Sequence, residues 1–367
     1  MSFITAIGTA NPRHKISQSA IAEFMIAAME LEDGDARKLR ALFRVSGIES
    51  RYSVLSDYGK KNGFEFYPNH LAAEAFPSTK SRLNLFREHA LTVSLMAARQ
   101  CLSKYPEVSV KSITHLVVVS CTGMYAPGLD IDIVNALGLT TSLQRTCINF
   151  MGCYAAFNAI KLADTFCKTQ ENARVLIVCT ELCSIHFQKE RSADNMLSNA
   201  LFGDGSAAIL MESKPQRGLN LVPESFFCDL ANVGENDMAW TVGDVGFEMR
   251  LSSYVPDIVR TGIKSLTKSL LDRISEDFSN VSYFAIHPGG KKILEVIEQE
   301  LGLDKEQNRH AYDVLREFGN MSSPTVLFVL NSVCRTLNGV DDGKKILSFA
   351  FGPGLTMESM LLKIENH

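Results

Sequence analysis

Residues 148–163 read INFMGCYAAFNAIKLA, and the change of character halfway along this stretch decides the fold. Positions 145–150 form a short run with the β-branched and aromatic composition of a strand. Gly152 and Cys153 interrupt it. The segment that follows is apolar on nearly every side, with Ala155, Ala156, Phe157, Ala159, Ile160, Leu162, Ala163 and Phe166. A helix without a polar face belongs at the centre of a protein. The pattern predicts a strand, a tight glycine turn and a buried helix, with Cys153 where the helix begins.

Working outward, strand-like runs lie at 113–121, 173–179 and 206–211, and again at 281–287, 344–351 and 356–364. Helical patterns occupy 85–105, 154–169, 291–303 and 323–337. Strands alternating with helices indicate an α/β protein with layered sheets. The second half also repeats the order of the first. VSYFAIH stands where ITHLVVVS does, KKILSFAF where ARVLIVC does, and ESMLLKI where AAILM does. This predicts an internal duplication, with a half at 1–220 carrying the cysteine facing a half at 221–367 across a pseudo-two-fold axis. SSPTVLFVL supplies the second buried helix, with Ser322 or Ser323 as its expected cap and Pro324 in its first turn.

Bulk composition narrows the function. The 367 residues are 46% hydrophobic and 21% charged, with a formal net charge of −4 and no long basic block, so the electrostatic footprint of nucleic-acid binding is missing. No run approaches the ~18 apolar residues of a membrane span. MSFITAIGTANP lacks the basic and apolar parts of a secretory leader, so a cytoplasmic protein is expected. Nine cysteines are scattered without a Cys-x-x-Cys pair, which removes the main support for zinc ribbons and thioredoxin-like chemistry.

Three residues stand out chemically. At a helix N-terminus, the free N–H groups and the dipole favour a thiolate at Cys153 and could hold a thioester oxyanion; a buried structural thiol is an equal reading on local context alone. His287 closes VSYFAIH and opens onto Pro288, Gly289 and Gly290, a strand end of the kind where α/β sheets place ligands. His186, shortly after ARVLIVCTE, is its competitor. Asn320, in EFGNMSSP ahead of the second buried helix, reads alone as turn chemistry. The duplicated plan nevertheless sets it opposite Cys153. A cysteine with a separate His and Asn is a nucleophilic constellation. Papain-like proteases use the same residue types, but their local signature is absent. FGDGS (202–206) and FGPGLT (351–356) read as tight turns, since neither is followed by the Lys-Ser/Thr of a phosphate loop.

Taken together, GCYAAFNAIKLA, LFGDGSAA, IHPGGKKIL, LREFGNMSS and FGPGLTMES resemble the type III polyketide synthases, the chalcone synthase-like group. The likeness runs in consistent order through the whole chain, and TGMYAPGLDID and VGDVGFEMRLS give it a bacterial cast. The resemblance implies a thiolase fold, five-layered α/β/α/β/α, in a homodimer with no tightly bound cofactor and no metal. It implies that Cys153 accepts an acyl group from a starter acyl-CoA. His287 and Asn320 would then bind malonyl-CoA and stabilise the enolate left by decarboxylation. Phe202 corresponds to an aromatic gate. Phe351, Gly352, Pro353 and Gly354 shape the cavity, and Ser322 joins the substrate-contacting set. Met249 stands where plant members carry a second gating aromatic, Cys183 and His186 replace small polar cavity residues, and Trp240 replaces a small one. Ala350 replaces a glycine ahead of the FGPG loop. Arg44, Lys291 and Lys292 are the candidates for contacting coenzyme A, with solvated surface charge as the other reading. The expected product is a pyrone or resorcinol. A single-condensation β-ketoacyl-carrier-protein synthase and a non-catalytic thiolase-fold protein are the competing readings.

Overall fold

The protein, described as a computed structural model over residues 1–70, 75–231 and 237–367, is built on one long sheet. In chain order, the strands of the first part are β1 (Phe3–Ala10), β2 (His14–Ser17), β3 (Ser50–Ser53), β4 (His115–Ser120), β5 (Gln144–Asn149), β6 (Arg174–Leu182) and β7 (Asp204–Glu212). The second part contributes β8 (Leu219–Leu230), β9 (Met238–Gly243), β10 (Gly246–Leu251), β11 (Val281–Ile286), β12 (Lys345–Gly352) and β13 (Thr356–Asn366). The long sheet runs β11-β12-β13-β8-β1-β7-β6-β4-β5, while β2–β3 and β9–β10 form separate pairs.

This order is the same short pattern written twice. Outward from the middle, β1-β7-β6-β4 and β8-β13-β12-β11 each make two antiparallel pairings and then a parallel one. The copies meet at one residue pair, Ile4 with Leu221. Only the first carries an extra outer strand, β5. The strand β4 is buried at every residue, as expected for a parallel strand covered on both faces, whereas the edge strand β5 alternates exposed and half-buried residues.

Five layers result. The long helix Thr79–Leu102 covers the outer face of β1, β6 and β7, and the helix Val255–Asp272 covers the outer face of β8 and β13. Between the half-sheets lie two central helices, Ala155–Thr169 and Thr325–Cys334. The first touches β4–β7 and also β13; the second touches β11 and also β1 and β7. Ala155, Ala156, Phe157, Ala159, Ile160 and Ala163 are sealed, in line with the apolar face read from sequence. The charges of this helix are partnered rather than absent: Lys161 pairs with Glu358 of β13 at 2.6 Å, and Asp164 accepts from Ser2 Oγ at 2.5 Å.

The start of the second central helix differs from expectation. Pro324 occupies the cap position, and neither Ser322 nor Ser323 caps it with its side chain. Thr325 Oγ1 instead accepts from the Met321 N–H at 2.8 Å, and the Ser323 hydroxyl turns away to Glu181 Oε1 at 2.6 Å. Among the described residues, no helix is long and apolar enough to cross a membrane, and no group of three or more His, Cys, Asp or Glu side chains could hold a metal.

Candidate active site

The strand-to-helix turn read from sequence places Cys153 at the entrance of the first central helix, 5% exposed. Gly152 makes the turn possible. Its φ is +84°, and a Cβ there would lie 2.3 Å from Cδ of Pro353. The contact is reciprocal, because a Cβ on Gly352 would lie 2.5 Å from the Tyr154 ring and 3.4 Å from the Cys153 nitrogen. The FGPG loop of the second half is therefore seated directly on the cysteine turn of the first, and only glycine fits at both crossing points.

Asn320 faces the thiol, with Cys153 Sγ 4.0 Å from both its Oδ1 and its Nδ2. Its orientation is held from behind. The Ser322 N–H donates to Oδ1 at 2.8 Å, which leaves the Nδ2 hydrogens for the site. Nδ2 also reaches the Gly289 carbonyl at 3.4 Å, in the turn that His287 opens. The Asn320 backbone pairs with the segment 201–203, its N–H donating to Leu201 O and its carbonyl accepting from the Gly203 N–H, both at 2.9 Å. Phe202 is thus held beside Asn320 by a β-bridge.

His287 is 1% exposed, and both its ring nitrogens are buried without a hydrogen-bond partner. Buried polar atoms are normally satisfied, so an unpaired imidazole calls for a ligand. Burial pushes its pKa down to about 3, so it stands as a neutral ring with one N–H to give and one lone pair to receive. His186 is the opposite case. Its Nδ1 accepts from the Phe247 N–H at 2.9 Å, which fixes the proton on Nε2, and Nε2 donates to Thr122 O at 2.6 Å. Its ring stacks on Phe247 with centroids 4.3 Å apart. His186 thus lines the cavity wall with both nitrogens occupied, while those of His287 are open.

The thiol itself departs from the sequence expectation. Burial pushes Cys153 up to about 12, and hydrogen bonding from Ser322 and Asn320 only partly opposes it. The helix N-terminus was expected to lower this pKa; in so dry a site, desolvation outweighs that effect. A thiol so buried keeps its proton at neutral pH.

Phe202, Met249, Trp240, Cys183 and His186 converge on one small chamber of about 30 Å³. Trp240 is locked in its wall, with Nε1 donating to Cys121 O at 2.6 Å and its ring edge-on to His186 and Phe247. Trp240 and Met249 also line a larger cavity of about 560 Å³, which reaches Pro353 and Gly354. Arg44, Lys291 and Lys292 do not join the chamber. All three are exposed, and both lysines lie near Glu295, at 3.8 and 3.6 Å. Gly47, three residues beyond Arg44, lies against the Lys291 stem.

Sequence reasoning missed Glu181. This carboxylate, fully buried, accepts from the Cys121 N–H at 2.8 Å, Thr122 Oγ1 at 2.8 Å and Ser323 Oγ at 2.6 Å. Burial pushes its pKa up, and these donors pull it back. A signal was present, since an acid closing the apolar run ARVLIVCTEL has to be paired or functional.

The chain matches the chalcone and stilbene synthase N-terminal domain over residues 1–215 and the C-terminal domain of the same family over 228–365. It is 31% identical over 368 residues to an alpha-pyrone synthesis polyketide synthase-like protein of Mycobacterium tuberculosis, covering 99% of this chain and 91% of that protein. It is also 31% identical over 378 residues to a putative chalcone synthase of Bacillus subtilis, covering 100% and 99%. Among solved structures, PKS-I of the brown alga Ectocarpus siliculosus superposes with a TM-score of 0.89 at 29% identity, covering 99% of this chain and 98% of that one. The C-terminal type III polyketide synthase domain of Steely1 from Dictyostelium gives 0.89 at 28% identity, covering 99% of each.

Proposed function

Because the chain belongs to the chalcone and stilbene synthase family, and is a type III polyketide synthase of thiolase-like fold, we propose that Cys153 carries the growing acyl chain while His287 and Asn320 generate the nucleophile that extends it. The observation that carries this reading is the unpaired, buried His287 on a turn whose Gly289 carbonyl is reached by the Asn320 amide, itself oriented by the Ser322 N–H.

Acylation comes first. The Cys153 sulfur attacks the starter thioester carbonyl, its proton passes to the free nitrogen of His287, and coenzyme A leaves with a proton. Malonyl-CoA then places its thioester oxygen between Asn320 Nδ2 and the His287 N–H. The bond to the carboxylate breaks, carbon dioxide departs, and its electron pair becomes the enolate that the two donors stabilise. The enolate carbon attacks the Cys153 thioester, and the thiolate leaves. In the enolate step His287 donates its N–H as a neutral ring and gains no charge; only in acylation does it carry a proton, from the thiol to the leaving coenzyme A. The substrates are coenzyme A thioesters, and the chain's own residues suffice for these steps.

Trp240 and Met249 bear on product size in this reading. Their bulky side chains line the same wall as Phe202 and would limit the room for extension, which fits a compact ring, a pyrone or resorcinol. The name of the mycobacterial relative supports the pyrone. Arg44, Lys291 and Lys292 would meet coenzyme A phosphates, and Ser322 would contact the bound acyl group. We also divide the chain near residue 220 into its two functional halves. A second copy pairs along the free edge of β5, an exposed strand with unused backbone groups. All nine cysteines are unpaired thiols, which suits the reducing cytoplasm.

The test is donor choice and product mass. Incubation with malonyl-CoA and a graded series of acyl-CoAs should give triketide or tetraketide pyrones or resorcinols, detected by mass spectrometry. Product formed only from malonyl groups on a carrier protein contradicts the reading.

A further inference from the structure

We propose that Arg51 is a positioning residue that locks the enolate donor Asn320 to the gate residue Phe202. This rests on the roles just assigned to Asn320 and His287.

Arg51 lies in β3 and is 1% exposed, yet among the described residues no carboxylate binds it. Its Nε donates to Gln18 Oε1 at 2.8 Å, and its Nη1 to the carbonyls of Asn199 at 2.8 Å and Phe202 at 2.5 Å. Nη2 has no partner. The nearby acid, Asp204, is occupied by Val54 N–H at 2.8 Å and by Ser184 N–H and Oγ at 2.8 and 2.6 Å. Burial lowers the guanidinium pKa to about 10, so it stays charged at neutral pH.

A lone buried cation is a poor device for stability, because an apolar side chain of similar volume fills the same space without the desolvation cost. What the guanidinium adds is a rigid fork that fixes several acceptors at once. Two of those acceptors, the Asn199 and Phe202 carbonyls, belong to the segment 199–202, which ends in the gate. Two glycines press the catalytic strands onto the same side chain. A Cβ on Gly319 would lie 2.8 Å from Arg51 Cγ and 2.7 Å from Leu201 O; one on Gly203 would lie 3.3 Å from Arg51 Cβ and 3.1 Å from Phe318 O. Segments 201–203 and 318–320 therefore cross over Arg51, and at the crossing they form the Phe202–Asn320 bridge. Gln18 braces the fork in turn, its amide donating to Ala200 O at 2.7 Å.

Removing the fork should let Asn320 drift while leaving the Cys153 turn, which is built from other contacts, in place. The experiment measures two half-reactions separately in wild type, Arg51→Met, Arg51→Lys and Gln18→Leu. Acylation of Cys153 is followed by intact mass, and malonyl-CoA decarboxylation by release of carbon dioxide. Arg51→Met should lose ten- to a hundredfold in decarboxylation, the scale of a misplaced catalytic group, and about threefold or less in acylation. Arg51→Lys should resemble it, and Gln18→Leu should shift the ratio in the same direction by less; it carries the test if the arginine variants do not fold. Both half-reactions falling together in step with the folded fraction, or decarboxylation at the wild-type rate in a folded variant, overturns the proposal. A wild-type protein that does not decarboxylate malonyl-CoA overturns the functional reading, and this proposal with it.

Discussion

The entrances of the two central helices are the same turn used for different ends. Met151-Gly152-Cys153-Tyr154 leads into Ala155, and Met321-Ser322-Ser323-Pro324 leads into Thr325. Both have a left-handed residue in second place, Gly152 at φ +84° and Ser322 at φ +61°, and both end on a cap residue already in the right-handed helical region. The third position carries the chemistry. In the first half it is a thiol 4.0 Å from the nearest side-chain polar atom of Asn320; in the second it is a hydroxyl bonded at 2.6 Å to a buried carboxylate. One fold feature thus presents a loosely held thiol in one half, the nucleophile we propose, and a firmly bonded brace in the other. His287 and His186 repeat the lesson with imidazoles.

That comparison breaks most sharply on substitution of the third position. Cys153→Ala should cut polyketide formation by roughly 10³-fold or more, the scale of losing a nucleophile. Ser323→Ala should keep catalysis within about tenfold but destabilise the fold by about 1–3 kcal/mol, because it strips a donor from buried Glu181. Product yield together with denaturant midpoints separates the two. Equal losses of activity would mean that both turns are catalytic.

The second position sharpens the contrast. Gly152→Ala meets Pro353 at 2.3 Å with φ at +84° and should cost about 1–3 kcal/mol in unfolding free energy. Ser322→Gly relieves a side chain from the left-handed region, so its stability should stay within about 1 kcal/mol of wild type. A Gly152→Ala protein as stable as wild type would show that the FGPG loop does not press on the cysteine turn.

Titration gives the smallest effects. With the thiol pushed up to about 12, alkylation of Cys153 by iodoacetamide should be slow at pH 7 and quicken about tenfold per pH unit in alkali. Fast, pH-independent labelling near neutrality contradicts the burial argument. Stability follows the same signs. The buried thiols Cys101, Cys121, Cys153, Cys179 and Cys183 hold protons that the unfolded chain releases near its ordinary value of 9.0, so stability falls as pH rises past it. His186 and His287, held neutral to about 3, resist protons that the unfolded chain binds below 6.5, so stability also falls as pH drops through that window. Unfolding midpoints across pH 5–10 should therefore trace a plateau with two shoulders.

Much of this was legible in sequence because it rests on local pattern. The apolar run after Cys153, the glycines around it and the strand ending in His287 each declare their setting within ten residues. The family motifs then supplied the partner of each. What escaped depends on contacts between distant segments. Arg51 and Glu181 look like ordinary charges until β3 and β6 are packed against residues 202–203 and 323. The Cys153 thiol differs from expectation for a related reason, since the helix terminus is visible in sequence while the burial that pushes the thiol up is not. The two histidines, similar as letters, separate only when the Phe247 N–H is seen on one ring and no partner at all on the other.

The central claim is that Cys153 holds the acyl group while His287 and Asn320 make the enolate, and one measurement addresses both parts. Cys153→Ala is incubated with acyl-CoA and malonyl-CoA, with intact protein mass and carbon dioxide release followed together. The account expects an acyl adduct on wild type, none on the variant, and malonyl-CoA decarboxylation persisting in the variant through His287 and Asn320. An adduct that survives loss of the thiol, or decarboxylation that vanishes with it in a folded protein, contradicts the division of labour.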